Sequence, residues 1–434
     1  MNVLVIGSGG REHVLTWKIK QSPLVKKIYC APGNGGMESI AECVDINPGA
    51  IPALVEFAKD KKIDLTVVGP EAPLVAGIVD AFEKEGLKIF GPNRQAAQLE
   101  GSKVFAKQFM MRNNIPTAKF ASFGKIELAK DFLMRAKFPL VVKADGLAAG
   151  KGVIICQDLQ SAKNAVDQIM QDKVFKEAGS YVVIEECLEG EEASILAISD
   201  GDRYCLLDSS QDHKRIFDDD VGPNTGGMGA YSPAPIVTQE LFKEIEAKVI
   251  GPVIRGMKNE GMPFKGVLYI GLMITEEGLK VLEFNVRLGD PETQVVLSRL
   301  RTDIVEIMLA SCEGGIGKIQ TKWDQRSCVC VVMSAGGYPG EYEKGEEIKG
   351  LDAIDEKKDG IIFHAGTKKE GDKMVTSGGR VLGVTNFGDD IEMAIKNTYT
   401  TVEKVSFEHC FFRRDIGAKA LRLMHEIPEA ISHR

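Results

Sequence analysis

At 434 residues the chain is too long for one ordinary hydrophobic core, so about two to four domains of roughly 100 to 200 residues each are expected. A composition that is 44% hydrophobic and 27% charged excludes a mainly disordered chain. A formal net charge of −8 argues against a nucleic-acid backbone as partner, because such binding needs a clustered basic footprint, and it directs attention to small substrates.

The first residues run straight into the apolar segment Val3–Ile6, with no basic n-region, no small-residue cleavage site and no apolar run long enough to span a bilayer. A cytoplasmic protein without a membrane partner is expected. The nine cysteines, scattered from Cys30 to Cys410, include no C-x-x-C pair and no zinc-like spacing, so they read as reduced and mostly buried.

From residue 2 to about 100, short apolar runs (Val3–Ile6, Lys27–Cys30, Leu65–Val68, Lys88–Phe90) alternate with amphipathic stretches such as Ile51–Ala58 and Leu74–Phe82. That alternation predicts a doubly wound parallel sheet. A polar helix over Gln95–Asn114 ends at Ile115-Pro116, where proline pushes its predecessor out of the helical region. Residues 120–190 then read strand, helix, strand, glycine-rich loop, strand, helix, strand, a compact unit suited to act as a lid. From 191 to 325 the strands are longer and antiparallel, as in Gly266–Ile274 and Leu279–Val286 around the turn Glu276-Glu277-Gly278. Ser327–Val332 opens a last strand-rich region, 326–434, closed by a helix over Ile416–Glu426. The fold class expected is α/β and α+β multidomain, with 1–100 as the N-terminal unit.

Four motifs carry chemistry. Strand Val5-Ile6 runs through Gly7-Ser8-Gly9-Gly10 into a helix beginning Arg11-Glu12-His13, which aims backbone N–H groups at an anion. A dinucleotide fingerprint would need glycine where Glu12 stands, so a phosphate site or a plain tight turn remains. The loop Lys143–Val153 follows an apolar strand with small residues and two ammonium groups, Lys143 and Lys151, for phosphate oxygens. It is not a Walker loop, since Gly146 and Gly150 stand too close and Gly152 replaces the magnesium-binding hydroxyl; a flexible hairpin would explain the glycines but not both lysines.

The segment Gln211–Gly229 packs dense charge, including Asp212, His213 and Lys214, ahead of a glycine-rich run, as a binding loop requires. His213 lacks a nucleophile partner and is expected to orient substrate. In Glu283-Phe284-Asn285-Val286-Arg287, strand alternation puts Glu283, Asn285 and Arg287 on one face, two hard oxygens and a guanidinium suited to a magnesium–phosphate pair. A solvated sheet face explains that pattern equally well when it is taken alone. Glu185-Glu186-Cys187-Leu188 ends a strand at a domain junction and reads either as an adenine-binding hinge or as a plain linker.

The order of the two-lysine glycine loop, the Glu-Glu-Cys-Leu hinge and the Glu-x-Asn-x-Arg strand resembles the ATP-grasp superfamily. The opening Gly7–His13, Gly69–Leu74, Asp212–Arg215, Gly222–Gly229 and Arg287–Gln294 look like its phosphoribosylamine–glycine ligase family, over essentially the whole chain. The resemblance implies an ATP-grasp lid at 120–190, an ATP-grasp catalytic domain at 191–325, and an ATP-dependent ligase joining phosphoribosylamine to glycine in purine synthesis. It implies ATP contacts from Lys103, Lys143, the loop residues Gly146, Gly150, Lys151 and Gly152, and the hinge residues Glu185, Glu186, Cys187 and Leu188. Glu192 is then a ribose contact, and Glu283 and Asn285 are ligands for Mg²⁺ or Mn²⁺. Arg287 falls at the transferring phosphoryl group or the glycine carboxylate, Lys214 adds positive charge, and Asp212 is the acidic partner for the glycine amino group. Phosphoribosylamine is expected at Gly9, Gly10, Arg11 and Glu71.

One departure stands out: the preceding strand, Tyr269–Met273, lacks the further metal-binding acid many ATP-grasp enzymes carry there. The end at residue 434 points to a single-function form, and a monomer is expected. Competing readings are an ATP-grasp carboxylase that takes bicarbonate, a dinucleotide-dependent oxidoreductase, and a non-catalytic nucleotide sensor.

Overall fold

The computed structural model describes residues 1–147, 152–172 and 179–424. Gly150 and Lys151 lie outside the described residues, as does the end of the helix expected over Ile416–Glu426, which is helical at 418–424.

The N-terminal unit contains β1 (Asn2–Gly7), α1 (Gly10–Lys20), β2 (Lys27–Pro32), β3 (Glu42–Cys43), α2 (Ile51–Asp60), β4 (Leu65–Val68), α3 (Glu71–Ala76), α4 (Ile78–Lys84) and β5 (Ile89–Phe90). Its sheet has the order β3-β2-β1-β4-β5 and every pairing is parallel. β1 and β4 are almost wholly buried because helices cover both faces, which is why they read as unbroken apolar runs. The single helix expected over 74–82 is two, α3 and α4, broken at Gly77, whose left-handed φ of +94° ends the first. The polar helix expected over 95–114 is likewise split into α5 (Gln98–Gly101) and α6 (Lys103–Arg112), because Ser102 caps α6 by accepting the Phe105 N–H at 3.0 Å.

Next come β6 (Phe120–Phe123), α7 (Ile126–Leu133), β7 (Leu140–Ala144), β8 (Val153–Cys156), α8 (Leu159–Val166) and β9 (Val182–Glu186). Their sheet, β6-β9-β7-β8, is antiparallel and has its own apolar core, from Ala129 to Ile184. Gly190 carries the chain out of this unit. Its φ is +153°, and a Cβ there would fall 2.1 Å from the Ile274 carbonyl oxygen, so the crossing demands glycine.

The following stretch holds β10 (Glu191–Asp200), β11 (Tyr204–Leu206), β12 (Gln211–Asp212), β13 (Arg215–Phe217), β14 (Val221–Asn224), β15 (Gly229–Ser232), α9 (Gln239–Ile245), α10 (Gly251–Asn259), β16 (Lys265–Thr275), β17 (Gly278–Asn285), α11 (Glu292–Arg299) and α12 (Ile304–Glu313). β11-β10-β16-β17 form an antiparallel sheet with a bulge between Gly271 and Leu272. β12 and β15 join a different sheet, β12-β15-β18-β22-β19, with β18 (Ser327–Ser334), β19 (Ile361–His364) and β22 (Arg380–Gly388) from the last part of the chain, where β20 (Thr367–Glu370) and β21 (Lys373–Thr376) form a separate hairpin. The segment 211–229 is therefore mostly paired strand, with β13 and β14 forming a hairpin, and is not the open loop its charge and glycines imply.

Two histidines link the first and last units. His13, on α1, accepts the His364 backbone N–H at Nδ1 (2.8 Å), and their rings lie 5.6 Å apart. Burial, reinforced for His13 by its neighbour His364, lowers their pKa values to about 3 and about 4. Burial also lowers His213 to about 4, with the charges of Arg413 and Lys419 adding to it. All three are neutral when folded, so the unfolded chain takes up protons that the folded one refuses. Their contribution is complete above the ordinary histidine pKa of 6.5 and drains as pH falls toward 4. Urea unfolding at pH 7, 6 and 5 is expected to show stability falling by up to about 1.4 kcal/mol per pH unit for each histidine; a flat profile over that range would refute the assignment.

Candidate active site

The cleft is built where β17, α3, α5 and the start of α11 converge. β17 stops at Asn285, so Arg287 lies beyond the strand and not in its alternation, yet its guanidinium turns back to the same place. Nη2 donates to Asn285 Oδ1 (3.2 Å) and pairs with Glu100 Oε1 (3.0 Å), while Nε pairs with Glu71 Oε2 (3.0 Å). Glu100 Oε2 also accepts the Val286 N–H at 2.7 Å. Burial disfavours the charge on Arg287, but Glu100 and Glu71 more than offset it and raise its pKa.

Glu283 is the focus of positive charge. Burial works to raise its pKa, and Lys214, Lys143, Lys103 and Arg287 together outweigh it, holding the carboxyl below its ordinary value. The four cations come from separate elements: α6, β7, the turn after β12 and the turn after β17. Each also has a local partner, with Lys103 Nζ donating to the Gly146 carbonyl (2.9 Å), Lys143 Nζ meeting Glu185 Oε2 (2.9 Å) and Lys214 Nζ meeting Glu192 Oε2 (2.7 Å).

Asp212 is buried near Lys214. Burial, with Glu292, Glu192 and Glu283 adding to it against the lysine charge, pushes Asp212 up to about 8. His213, next along the chain, belongs to other surroundings: it is 1% exposed, its ring lies 5.9 Å from Tyr231, and Arg413, Lys419, Asp220 and Asp415 set its field. Neither ring nitrogen has a hydrogen-bond partner among the described residues.

At the opening glycine turn, the helix N-terminus is met by the protein's own carboxylates. Gly9 N donates to Glu12 Oε2 (2.5 Å) and Arg11 N to Asp290 Oδ2 (3.3 Å). The Arg11 guanidinium turns inward, Nε to Glu12 Oε1 (2.5 Å) and Nη1 to the Leu288 carbonyl (3.1 Å). Gly69 makes room for Glu12, since a Cβ there would come within 2.1 Å of its Oε1. In the hinge, Glu186 accepts the Lys119 N–H at 2.8 Å, Cys187 is a free thiol, and Leu188 follows the end of β9.

Several residues of the cleft carry no signal in the sequence read alone. Glu100 sits in a short polar helix, and Lys107 looks like one more surface lysine. Glu292 accepts from Tyr269 Oη (2.9 Å), which exchanges a hydrogen bond with Ser194 (2.8 Å), and all three are buried. Arg380, from the glycine run Gly378-Gly379, donates Nη1 to the Gly226 carbonyl at 2.8 Å.

For a divalent cation the chain offers Glu283, held ionised, and the Asn285 amide oxygen. Among the described residues no group of three or more His, Cys, Asp and Glu converges as a cation site. Two hard oxygens fit an ion that takes its remaining ligands from water and phosphate.

Removing Arg287 would leave Glu71 and Glu100 facing each other without compensation. Arg287→Met is expected to cost about 3 to 5 kcal/mol in urea unfolding, as for a broken buried pair; a loss below about 1 kcal/mol, the scale of an exposed pair, would show that the network is solvated.

The chain matches the phosphoribosylglycinamide synthetase family along most of its length: the N domain over residues 1–100, the ATP-grasp (A) domain over 101–293 and the C domain over 328–419. It is 50% identical over 418 residues to the phosphoribosylamine–glycine ligase of Caldanaerobacter subterraneus, covering 96% of this chain and 100% of that one. A crystal structure of phosphoribosylamine–glycine ligase from Thermotoga maritima matches with TM-score 0.83 and 34% identity, covering 96% of this chain and 100% of that one. At the level of fold alone, a biotin carboxylase complex from Campylobacter jejuni matches with TM-score 0.71 and 15% identity, over 95% of this chain and 92% of that one.

Proposed function

Since the chain belongs to the phosphoribosylglycinamide synthetase family, we propose that its cleft activates glycine by phosphoryl transfer and then hands the acyl group to phosphoribosylamine. The chain is an ATP-dependent carbon–nitrogen ligase of purine biosynthesis that forms glycinamide ribonucleotide. The observation that carries the proposed mechanism is the convergence of Lys103, Lys143, Lys214 and Arg287 on Glu283, because cations brought from four separate elements can turn from their protein partners to the oxygens of an incoming polyphosphate.

A carboxylate is a poor acceptor for an amine until its oxygen becomes a good leaving group. A glycine carboxylate oxygen attacks the γ-phosphoryl group of ATP, the bond to ADP breaks, and glycyl phosphate forms. The amine of phosphoribosylamine then attacks the acyl carbon, phosphate departs, and the amine loses a proton. Lys103, Lys143, Lys214 and Arg287 offset the negative charge spread over the phosphoryl oxygens. Mg²⁺ or Mn²⁺, held by Glu283 and Asn285, supplies further neutralisation of the triphosphate when bound. Glu185 to Leu188 face the nucleoside and Glu192 the ribose, while Gly146, Gly150, Lys151 and Gly152 cover the phosphates. Phosphoribosylamine lies between Gly9, Gly10 and Glu71, with Arg11 bracing the turn from behind. His213 acts by packing beneath the segment that carries Asp212 and Lys214.

The unit 120–190 is proposed as a lid over 191–325, with 1–100 holding the phosphoribosyl group and 326–434 bracing the cleft. Action as a monomer is part of the proposal; the nine free thiols favour the cytoplasm, and the acidic balance of the chain favours small substrates over nucleic acid. Among the described residues no helix is long and apolar enough to cross a membrane.

The test is ADP release with ATP, Mg²⁺ and fresh phosphoribosylamine, with and without glycine, on the parent and on Glu283→Gln. Glycine-dependent turnover that falls by about 100-fold or more in the variant, the scale of a lost charge-stabilising group, supports the reading. Turnover that ignores glycine, or a variant as active as the parent, overturns it.

Asp212 carries a pH signature. Held protonated up to about pH 8, it must release its proton to face the ammonium group of glycine. The KM for glycine is therefore expected to fall by up to about tenfold per unit as pH rises from 6.5 toward 8, while the KM for ATP stays level. In Asp212→Asn the glycine KM should be higher and flat with pH; a slope identical to the parent's would rule out this role.

A further inference from the structure

Lys107 lies four residues after Lys103 on α6, so the two project from one face of the helix. Lys103 reaches toward the glycine loop, whereas Lys107 points deeper. It is 3% exposed, its Nζ pairs with Glu185 Oε2 at 3.0 Å and donates to Thr117 Oγ1 at 2.7 Å. Lys143 Nζ pairs with the same Glu185 oxygen at 2.9 Å. Two ammonium groups therefore share one carboxylate oxygen. The other oxygen, Oε1, is buried and has no hydrogen-bond partner among the described residues.

A buried carboxylate requires about one counter-charge, so one of these lysines is surplus while the site holds no nucleotide. The arrangement distinguishes the two. Lys107 is fixed from behind by Thr117, which donates onward to the Val281 carbonyl at 2.6 Å, on the strand that carries Glu283. Among the described residues Lys143 makes one further contact, to the Leu282 carbonyl at 3.4 Å, at the upper limit of a hydrogen bond. It stands beside the glycine loop.

We propose that Lys107 is the resident counter-ion of Glu185 and a positioning residue for ATP: it holds the Glu185 carboxylate in place, with Oε1 open to a donor of the nucleoside, while Lys143 transfers its charge to the phosphates. Two lysines on one carboxylate are thus a store of positive charge that nucleotide binding draws out without stranding a buried anion.

Burial, together with the charge of Lys143, lowers Lys107 to about 8, while Glu185 and Glu186 oppose the shift; the Phe120 ring lies 5.9 Å away and Thr117 accepts from it. Above about pH 8, Lys107 loses its proton and Glu185 must retain Lys143, so ATP binding weakens in alkali.

The inference rests on the phosphate-binding role proposed for Lys143. That role fails by itself if Lys143→Met leaves the KM for ATP unchanged, whatever Lys107 does. For Lys107, steady-state kinetics of Lys107→Met, Lys107→Arg and the double variant Lys107→Met/Glu185→Gln are compared with the parent. Expected are a KM for ATP raised about tenfold or more in Lys107→Met, as for a broken buried pair, with kcat and the glycine KM within about threefold. Arginine should restore the ATP KM and carry it unchanged past the pH at which the parent weakens. The double variant should recover part of the loss, because a neutral amide in place of the Glu185 carboxylate needs no counter-ion.

An unchanged ATP KM in Lys107→Met overturns the proposal. So does a loss shared equally by kcat and both KM values that neither Lys107→Arg nor the double variant relieves. If Lys107→Met does not fold, the pH profile of Lys107→Arg decides, and an alkaline limb identical to the parent's sinks the idea.

Discussion

The pairing of Arg287 with Glu71 and Glu100 is the constraint from which the cleft is built. Glu71 opens α3 in the parallel unit, Glu100 lies in the short helix before α6, and Arg287 leaves the end of β17. One guanidinium thus joins the start of α3, the short helix that leads into α6, and the strand carrying Glu283 and Asn285. A planar fork serves this purpose where an ammonium would not, because its donors are fixed at divergent angles and reach three partners at once. The two carboxylates would repel one another without it. Burial raises Glu100, and Glu71 adds to it; Arg287 is the largest opposing charge, with the Val286 N–H and Arg11 acting in the same direction.

Charge in the cleft is arranged by environment more than by residue type. Glu283 is kept ionised by the cations around it, whereas Asp212, nearby and similarly buried, is pushed toward the neutral form by burial and by the carboxylates it faces. Two acids of one chemical class are therefore set for different tasks, one as a permanent anion and one as a group whose charge appears when a cation arrives. Placing both as permanent anions in one enclosed space would oppose a triphosphate. The neutral Asp212 relieves that conflict.

The sequence makes the parallel sheet legible because β1 and β4 are covered on both faces and read as unbroken apolar runs, and the order of the 120–190 elements because glycine and proline punctuate them. Helix α11 is hidden for the opposite reason: every residue from Glu292 to Arg299 is buried, so it has no polar face to give it a period. β12 and β15 are too short to show alternation, and their partners come from the far end of the chain. Within the site, local pattern names Lys143, Glu283 and Asn285, since each sits in a strand or loop whose chemistry is unusual by itself. It is silent on Glu100 and Lys107, whose meaning comes from partners far along the chain. At Arg11 the pattern suggests an anion ligand, while the guanidinium turns to Glu12 and the Leu288 carbonyl. His213 illustrates the rule best: adjacent residues of an extended segment face opposite ways, so its neighbours Asp212 and Lys214 enter the cleft together and it does not.

The attachment of the 120–190 unit follows from the same charges. Its apolar residues close a core of their own, and among the described residues several polar bonds tie it to the body. The Asp145 carboxylate accepts from Ser102 Oγ and the Val104 N–H, both at 3.0 Å, the Gly146 carbonyl accepts from Lys103, and Glu185 pairs with Lys107. Separating two apolar faces would cost free energy in proportion to the area exposed. Polar contacts can be exchanged for others of similar strength, with water or a phosphate taking the vacated donor at small net cost. In the proposed lid role, a unit with a closed core and a polar seam would shift over a bound nucleotide without unpacking. The lysines of that seam, Lys103 on the body and Lys143 on the unit, are the groups whose partners an incoming polyphosphate would replace. Movement of the unit and neutralisation of the phosphates then draw on one set of contacts.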